Sequence, residues 1–214
     1  MYAELHAHSA YSFLDGASLP EELAIQAHQL KLKAVALTDH NGLYGSMAFA
    51  QAAKAWGVQP ITGAEVTLEN GAHLTLLVET PRGYANLCRI ISRAHLDHPR
   101  GHPKVNWEFL CRHAEGLIVL SGCRQGEISN RIAAGDPQGA YQTARRYLDA
   151  LGRERFWIEL QQNWVHGDTF RIRHLVEIAR RLDLGIVATN NVHYHARERH
   201  RLQDVLVAIK HRTT

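Results

Sequence analysis

The feature that most constrains this chain is the alternation of short apolar runs with amphipathic helical stretches along nearly its whole length. The strand-like runs lie at 2–5, 34–38, 59–68, 73–78, 117–120, 156–160 and 185–189. A helical crossover returns the chain to the same edge of a sheet, so six or seven such strands favour parallel pairing. The sequence therefore predicts an α/β fold, either an open doubly wound sheet or a barrel. In both architectures, ligands bind at the carboxyl ends of the strands.

Length and composition exclude several classes of protein. A chain of 214 residues with 45% apolar residues can bury a full core, most simply as one domain and alternatively as two small ones. No apolar run approaches the length of a membrane span, and no signal peptide is recognisable at the N-terminus. The net charge is only +3, and the sequence has no basic tail of the kind that binds duplex DNA without other contacts. Cys88, Cys111 and Cys123 are widely spaced and form no C-x-x-C pair, which favours a reducing cytoplasm over a disulfide framework or a zinc ribbon.

Two histidines follow the first strand-like run. Alternate side chains of a strand point to the same face, so His6 and His8 leave the strand end side by side, about 7 Å apart at the backbone. Two neutral imidazoles that converge on one point can begin a metal site. A His-x-His pair alone is weak support for metal binding, so the interpretation depends on the later strands.

The later strand ends carry further metal-ligand side chains. The donors that follow strands, or lie in the loops after them, are Asp15, His40, Cys123, Asn191 and His193. Glu65 lies just beyond Gly63, which interrupts the third strand. These nitrogen, oxygen and sulfur donors suit zinc or related transition metals. Chance would place one or two such residues at strand ends, but hardly the whole series. The pattern therefore predicts a metal site at the carboxyl ends of the strands, with Asp39 as an acceptor that fixes the tautomer of an imidazole.

These motifs resemble the PHP (polymerase and histidinol phosphatase) superfamily. The resemblance rests on His-Ala-His-Ser at 6–9, Thr-Asp-His at 38–40, Gly-Ala-Glu at 63–65, Ser-Gly-Cys at 121–123 and Ala-Thr-Asn-Asn-Val-His at 188–193. Phe-Leu-Asp-Gly at 13–16, His-Leu at 73–74, Gly-Tyr at 83–84 and Arg124 after Cys123 are similar to the N-terminal PHP domain of bacterial C-family DNA polymerases. That family includes the α subunit of polymerase III. Asn-Asn-Val-His-Tyr at 190–194 and the final His-Arg-Thr-Thr look most like its error-prone branch.

The resemblance implies a distorted seven-stranded β/α barrel, TIM-like, that spans residues 1–214 as the N-terminal part of a longer polymerase chain. It also implies a cluster of up to three divalent ions at the strand C-terminal ends, with zinc favoured and manganese or iron as alternatives. The ligand positions of the family fall on His6, His8, Asp15, His40, Glu65, His73, Cys123, Asn191 and His193.

Two of these positions conflict with the reasoning from the residues. His73 stands at the start of a strand, and a two-residue Asn70-Gly71 turn would point it away from the face of Glu65. Either the loop is longer than it looks, or the strands splay. Asn191 stands where the metal-binding pattern of the family has aspartate, which removes a negative charge. The metal site there is expected to be weaker, or to fill only when a substrate brings its own phosphate oxygens.

The resulting functional expectation is a metal-dependent phosphoesterase, specifically a 3′→5′ proofreading exonuclease that acts on a single-stranded DNA 3′ end. Asp15, His193 and Arg124 are the candidate catalytic residues, and Arg124 could contact a phosphate through two hydrogen bonds. One alternative is a non-catalytic, metal-braced module that stabilises the polymerase. Another is a free-standing phosphatase of the histidinol phosphate type. The expected partners are DNA or a phosphate ester and the remainder of the polymerase chain, with no membrane.

Overall fold

The computed structural model describes residues 2–213, and within this range the chain forms seven strands, eight α-helices and one 3-10 helix. The strands are β1 (Glu4–Ala7), β2 (Ala34–Leu37), β3 (Gln59–Thr67), β4 (His73–Val78), β5 (Leu117–Leu120), β6 (Phe156–Gln161) and β7 (Ile186–Thr189). Their order in the sheet follows their order in the chain, from β1 to β7.

The helices connect most of these strands, as the alternating pattern predicts. They are α1 (Pro20–Gln29), α2 (Ser46–Ala55), α3 (Pro81–Asp97), α4 (Trp107–Arg112), α5 (Glu127–Ala133), α6 (Pro137–Leu151), α7 (Asp168–Leu182) and α8 (His200–His211), with the 3-10 helix at Arg197–Arg199. In the part of the chain that the structure describes, every helix is too short or too polar to cross a membrane.

Two boundaries at the amino end differ from the sequence prediction. β1 begins at Glu4 and continues to Ala7, so His6 lies within the strand and His8 directly after it. Ser18, with Glu21 three residues later, predicts a capping box and a helix that begins at Leu19. Instead α1 begins at Pro20, and the Leu19 N–H donates to the Glu22 carboxylate at 2.8 Å. The proline fixes the first helical residue because its φ suits a helix start and it needs no N–H partner there.

The chain divides into two compact units, of which the first comprises Met1–Ala64 and Asn191–Thr214. In this unit β1 pairs with β2, and β2 with β3, all in parallel. The segment that follows β7 joins β1 in parallel through a bridge between Ala7 and Val192. The His8 N–H donates to the Val192 carbonyl at 2.7 Å. This pairing brings the first strand and the segment after β7 together, so that His8 and His193 lie near each other.

The core of the first unit fixes these strands. Helices α1 and α2 bury small residues and Phe49, which is 1% exposed, against β1 and β2. The cluster consists of Ala7, Leu23, Ala24, Ala27, Val35, Leu37, Phe49, Ala53 and Val58. Complete burial of a large apolar side chain contributes about 1.5–3 kcal/mol, so the core holds the strand ends that carry the histidines in fixed positions.

The second unit comprises Glu65–Asn190 and contains one strand of opposite direction. β5, β6 and β7 pair in parallel, but β4 is antiparallel to β5, so uniform parallel pairing is wrong at this strand. A tight turn, and no crossover helix, precedes β4. Consequently the amino end of β4 lies beside the carboxyl end of β5, where Thr75 pairs with Leu120. Functional side chains at the start of β4 therefore share an edge with those that follow β5.

Candidate metal centre

Three imidazoles converge in the first unit. His8 follows β1, His40 follows β2 and His193 follows the segment that pairs with β1, and each offers a ring nitrogen within 4.8 Å of the others. The ring of His8 stacks on that of His40 at a centroid distance of 4.5 Å and on that of His193 at 4.8 Å. His8 is fully buried, whereas the side chains of His40 and His193 are each 21% exposed. One side of the cluster is thus open to a ligand.

Asp15 adds a carboxylate to the three imidazoles. Its Oδ2 lies 3.1 Å from His40 Nε2, and its Oδ1 lies 3.6 Å from His193 Nε2. Burial acts to raise the pKa of Asp15, but hydrogen bonds from His40 and Lys210 outweigh it and hold the pKa well below its usual range. Asp15 is therefore an ionised oxygen donor beside nitrogen donors.

Ser12 determines the tautomer of His8. The Ser12 hydroxyl donates its single hydrogen to Asp39 Oδ1 at 2.7 Å, so it can only accept from His8 Nδ1 at 3.0 Å. Nδ1 of His8 therefore carries the proton, and Nε2 keeps its lone pair. Asp39 is held in turn by the N–H and the hydroxyl of Ser9, both at 2.7 Å. Asp39 thus orients an imidazole, but it does so through Ser12 on His8, and not directly on the adjacent His40.

The tautomer of His193 is fixed by the backbone. Its Nδ1 lies 2.8 Å from the Asn191 carbonyl, which can only accept, so Nδ1 carries the proton and the Nε2 lone pair faces Asp15. Burial lowers the pKa of His193, although the charge of Asp15 opposes this effect. An imidazole lone pair and a carboxylate that face each other repel unless a cation lies near both. His193 and Asp15 are therefore arranged as two ligands of one metal ion would be.

His6 and Asn191 complete the donors of the first unit. His6 is fully buried, and its Nε2 lies 3.1 Å from His8 Nε2. Asn191 adopts a left-handed backbone conformation with φ of +52°. Its side-chain carbonyl oxygen is buried and has no hydrogen-bond partner among the described residues. A buried carbonyl oxygen without a donor is costly, and a cation would satisfy it.

The second unit holds the other three ligand positions. His73 Nδ1 lies 3.3 Å from Glu65 Oε1 and 3.9 Å from Cys123 Sγ. Of the two alternatives that the sequence left open, the structure shows the longer loop, because the turn is one residue longer than Asn70-Gly71 suggests. The Leu68 N–H donates to the Ala72 carbonyl at 2.8 Å, which leaves residues 69–71 as a three-residue turn. A shift of one residue exchanges the faces of a strand, so His73 lies on the face of Glu65.

Cys123 follows β5 through a backbone that requires glycine. Gly122 has φ of +85°, and a side chain there would place its Cβ 2.4 Å from the His73 carbonyl oxygen. Burial, together with the charge of Glu65, raises the pKa of the Cys123 thiol well above its usual value. Cys123 is therefore protonated in the absence of a cation, and a bound metal would be needed to make it a thiolate ligand.

The predicted metal ligands are divided by unit into a first set and a second set. The first set is His6, His8, Asp15, His40, Asn191 and His193, and the second is Glu65, His73 and Cys123. The third catalytic candidate, Arg124, is exposed directly after Cys123. The nitrogen, oxygen and sulfur donors of these sets fit zinc or a related divalent ion.

Two residues that matter to the first set carry no recognisable signal in the sequence. Ser12 lies in a loop and resembles any polar loop residue. Lys210 lies on α8, 195 residues from Asp15, yet its Nζ approaches Asp15 Oδ2 to 2.9 Å. Only the fold brings these residues to the metal ligands.

Comparisons with known proteins give the family. The sequence profile of the PHP domain matches residues 4–163. The chain is 40% identical to an error-prone DNA polymerase of Symbiobacterium thermophilum over 98% of its length, and 34% identical to the DNA polymerase III subunit alpha of Treponema pallidum over 97%. It spans about a fifth of these relatives, 21% and 19% of their lengths.

Solved structures show the same fold at low sequence identity. A protein from Bifidobacterium adolescentis that is assigned as a metal-dependent phosphoesterase aligns over 89% of this chain and 87% of its own, with a TM-score of 0.61 at 16% identity. A lesion-specific endonuclease from Pyrococcus furiosus aligns over 90% of this chain and 48% of its own, with a TM-score of 0.56 at 15% identity. The predicted α/β class with the strand topology of a β/α barrel is confirmed. The match over residues 4–163, most of the chain, places this protein in the PHP domain family.

Proposed function

We propose that this chain is the metal-dependent phosphoesterase domain of a bacterial C-family DNA polymerase of the error-prone or replicative type. Its specific reaction is 3′→5′ hydrolysis of DNA phosphodiesters at a single-stranded end. The observation that carries the proposal is the convergence of His8, His40 and His193 around the ionised Asp15. The polymerase relatives and the phosphoesterase and endonuclease folds support the choice of substrate.

The ligands of the first set would hold a divalent ion, and the orientations of two of their imidazoles are already fixed. Ser12 presents the Nε2 lone pair of His8, and the Asn191 carbonyl presents that of His193. A bound ion of this kind lowers the pKa of a coordinated water and neutralises phosphoryl oxygens. Zinc is our choice because the imidazole donors of this set favour it over magnesium or calcium.

Substrate reaches the more exposed ligands first. The side chains of Asp15 and His193 are 15% and 21% exposed, whereas His6 and His8 are fully buried. In our proposal Asp15 accepts a hydrogen bond from the attacking water and aligns it, and His193 forms the adjoining wall. Arg124, which is exposed in the second unit, is our candidate for a phosphate contact through its planar guanidinium.

The experiment is hydrolysis by the 214-residue chain after removal of metal and reloading with zinc or manganese. The substrate is a 5′-labelled single-stranded oligonucleotide, so that products shorten one nucleotide at a time from the 3′ end. Metal analysis of the same sample should find two or three ions per chain. The variant His40→Ala should lose activity, and the matched control His102→Ala, an exposed loop histidine, should keep it.

Three outcomes contradict the proposal in different ways. Absence of metal after gentle purification would exclude the metal centre itself. Release of phosphate from 4-nitrophenyl phosphate without shortening of the strand would favour a small-molecule phosphatase. Full metal content with no hydrolysis of either substrate would favour the non-catalytic module.

One observation favours that second candidate, a non-catalytic module that docks onto the remainder of a polymerase chain. Leu202, Val205 and Ile209 recur at helical spacing on α8, where they are 41%, 55% and 56% exposed. An exposed apolar row of this kind marks a protein contact surface. For this candidate, zinc should raise the Tm of the chain without any hydrolysis.

We also propose a cytoplasmic location. Cys88, Cys111 and Cys123, which are all the cysteines of the chain, form no disulfide in the described residues. Free thiols persist in a reducing compartment.

A further inference from the structure

Two loops that carry metal ligands of the first unit also present exposed aromatic rings. Tyr11 and Phe13 lie in the connection between β1 and α1, which includes Asp15, and they are 47% and 81% exposed. Tyr44 lies in the connection between β2 and α2, which includes His40, and is 67% exposed. Soluble proteins seldom group large apolar side chains on the surface without a ligand or partner to cover them.

The backbone of the loop that carries Tyr11 and Phe13 is closely packed. The ring of Tyr11 packs on Gly45, where an added Cβ would lie 2.9 Å from Tyr11 Cδ2. At Gly16 an added Cβ would lie 2.0 Å from the Ser9 carbonyl oxygen, so the loop around Phe13 closes tightly on itself. The Ser12 N–H donates to Ser9, and the Gly16 N–H donates to Ser12, both at 2.9 Å. Rings presented by ordered loops lose little conformational entropy when a ligand covers them.

The same unit carries an excess of positive charge near its carboxyl end. Residues 197–212 include five Arg or Lys and two Asp or Glu, a net charge of +3 from 5 − 2. Of these cations, Lys210 is placed directly against Asp15, in the loop that carries Tyr11 and Phe13, and its side chain is 42% exposed. Aromatic rings beside cations are the combination that binds single-stranded nucleic acid, since the rings stack on bases and the cations face phosphates. An apolar protein segment would cover the rings but would make no favourable contact with the Lys210 ammonium.

We infer that Tyr11, Phe13 and Tyr44 form a stacking platform for the terminal bases of a single-stranded nucleic acid whose phosphates face Lys210. The inference rests on the proposed function and deepens it, because it makes the substrate a strand with bases and excludes a small phosphate ester. DNA and RNA share this chemistry, so the test includes both.

The test is fluorescence anisotropy of labelled dT12 with the 214-residue chain in EDTA, where binding is measured without hydrolysis. Phe13→Ala and Tyr44→Ala should each weaken binding about tenfold, the equivalent of one lost base stack. Phe13→Leu should weaken it equally because leucine keeps apolar bulk but has no π face, and Phe13→Trp should restore it. The matched control is Phe170→Ala on α7, a ring of 55% exposure that should leave affinity within twofold.

Two further ligands show how much of the affinity comes from the bases and how much from the sugar-phosphate backbone. An abasic strand of equal length should bind the wild-type chain weakly, and Phe13→Ala should not weaken it further. If the platform serves DNA and RNA alike, rU12 should show the same dependence on Phe13 as dT12.

Three results would overturn the inference: no binding of dT12 by the wild-type chain, wild-type affinity in both Phe13→Ala and Tyr44→Ala, or full affinity in Phe13→Leu. The last would identify an apolar protein-docking patch. Because binding is measured in EDTA, ring-dependent binding without hydrolysis would reject the proposed function alone. Hydrolysis with ring-independent binding would reject this inference alone.

Discussion

Lys210 Nζ lies 2.9 Å from Asp15 Oδ2 and so joins α8 to the loop that follows β1. The same carboxylate oxygen lies 3.1 Å from His40 Nε2. The Asp15 carboxylate therefore contacts both the Lys210 ammonium and the imidazole of His40. The ammonium has further N–H donors and is 42% exposed, so it can meet a phosphate with or without a bound ion.

We expect Lys210→Met to bind zinc more tightly than the wild-type chain. The variant removes both a competitor for Asp15 and a positive charge near the ion. Because the lysine is 42% exposed, the gain should be at most about fivefold, the equivalent of the ~1 kcal/mol of a solvent-exposed ion pair. Competition with a chromophoric chelator measures the affinity, and Lys54→Met on α2 is a control. Weaker binding by the variant would mean that Lys210 supports the metal centre.

We expect Ser12→Ala to lower zinc affinity by about 10–100-fold, the usual cost of losing a residue that orients a metal-bound histidine. The change removes the acceptor of the His8 Nδ1 proton and leaves the buried Asp39 with one donor fewer. Ser92→Ala, at an exposed position of α3, is the matched control. Zinc affinity equal to that of the wild-type chain would show that the hydroxyl does not set the tautomer of His8.

We expect Asn191→Asp to raise metal occupancy or metal-dependent hydrolysis. Aspartate restores the negative charge of the family pattern beside a dication, and it tolerates the left-handed backbone about as well as asparagine. Metal content after dialysis against a weak chelator measures the effect, with Asn130→Asp, an exposed position of α5, as the control. No change in occupancy or rate would mean that position 191 does not limit the site.

We expect Asp168→Asn to destabilise the second unit at neutral pH by about 3 kcal/mol, since it leaves the buried Arg171 without its counter-ion. Burial acts to raise the pKa of Asp168, but the N–H groups of Asn163 and Val165 and the charge of Arg171 lower it overall. Because the folded pKa lies below the unfolded value of about 4, the stabilisation is complete above that pH. It is lost as the pH falls through the folded pKa.

Urea unfolding at a series of pH values checks this expectation. The difference in the free energy of unfolding between the wild-type chain and Asp168→Asn should shrink as the solution is acidified below about pH 4. Asp149→Asn, whose side chain is 68% exposed in an ion pair with Arg145, should change stability by less than about 0.5 kcal/mol. A difference that is constant with pH would contradict the role of the Asp168 charge.

Strand ends were the most predictable part of the candidate site. His8 and His40 follow buried strands of the first unit, and Cys123 follows a buried strand of the second. Parallel strands bring the residues that follow them to one edge of their sheet. His73 was not predictable by this rule, because its strand runs antiparallel to β5 and places its amino end at that edge. The length of the preceding turn, three residues instead of two, then decided which face His73 occupies.

The sequence by itself determined the α/β class, most element boundaries and the identity of the donors, since all three follow from local periodicity and from residue chemistry. The tertiary structure alone decided the tautomers of His8 and His193 and the approach of Lys210 to Asp15. These features depend on pairs of groups that are far apart in the chain or on the rotation of a single hydroxyl. Local sequence patterns carry no information about such pairs until the chain has folded.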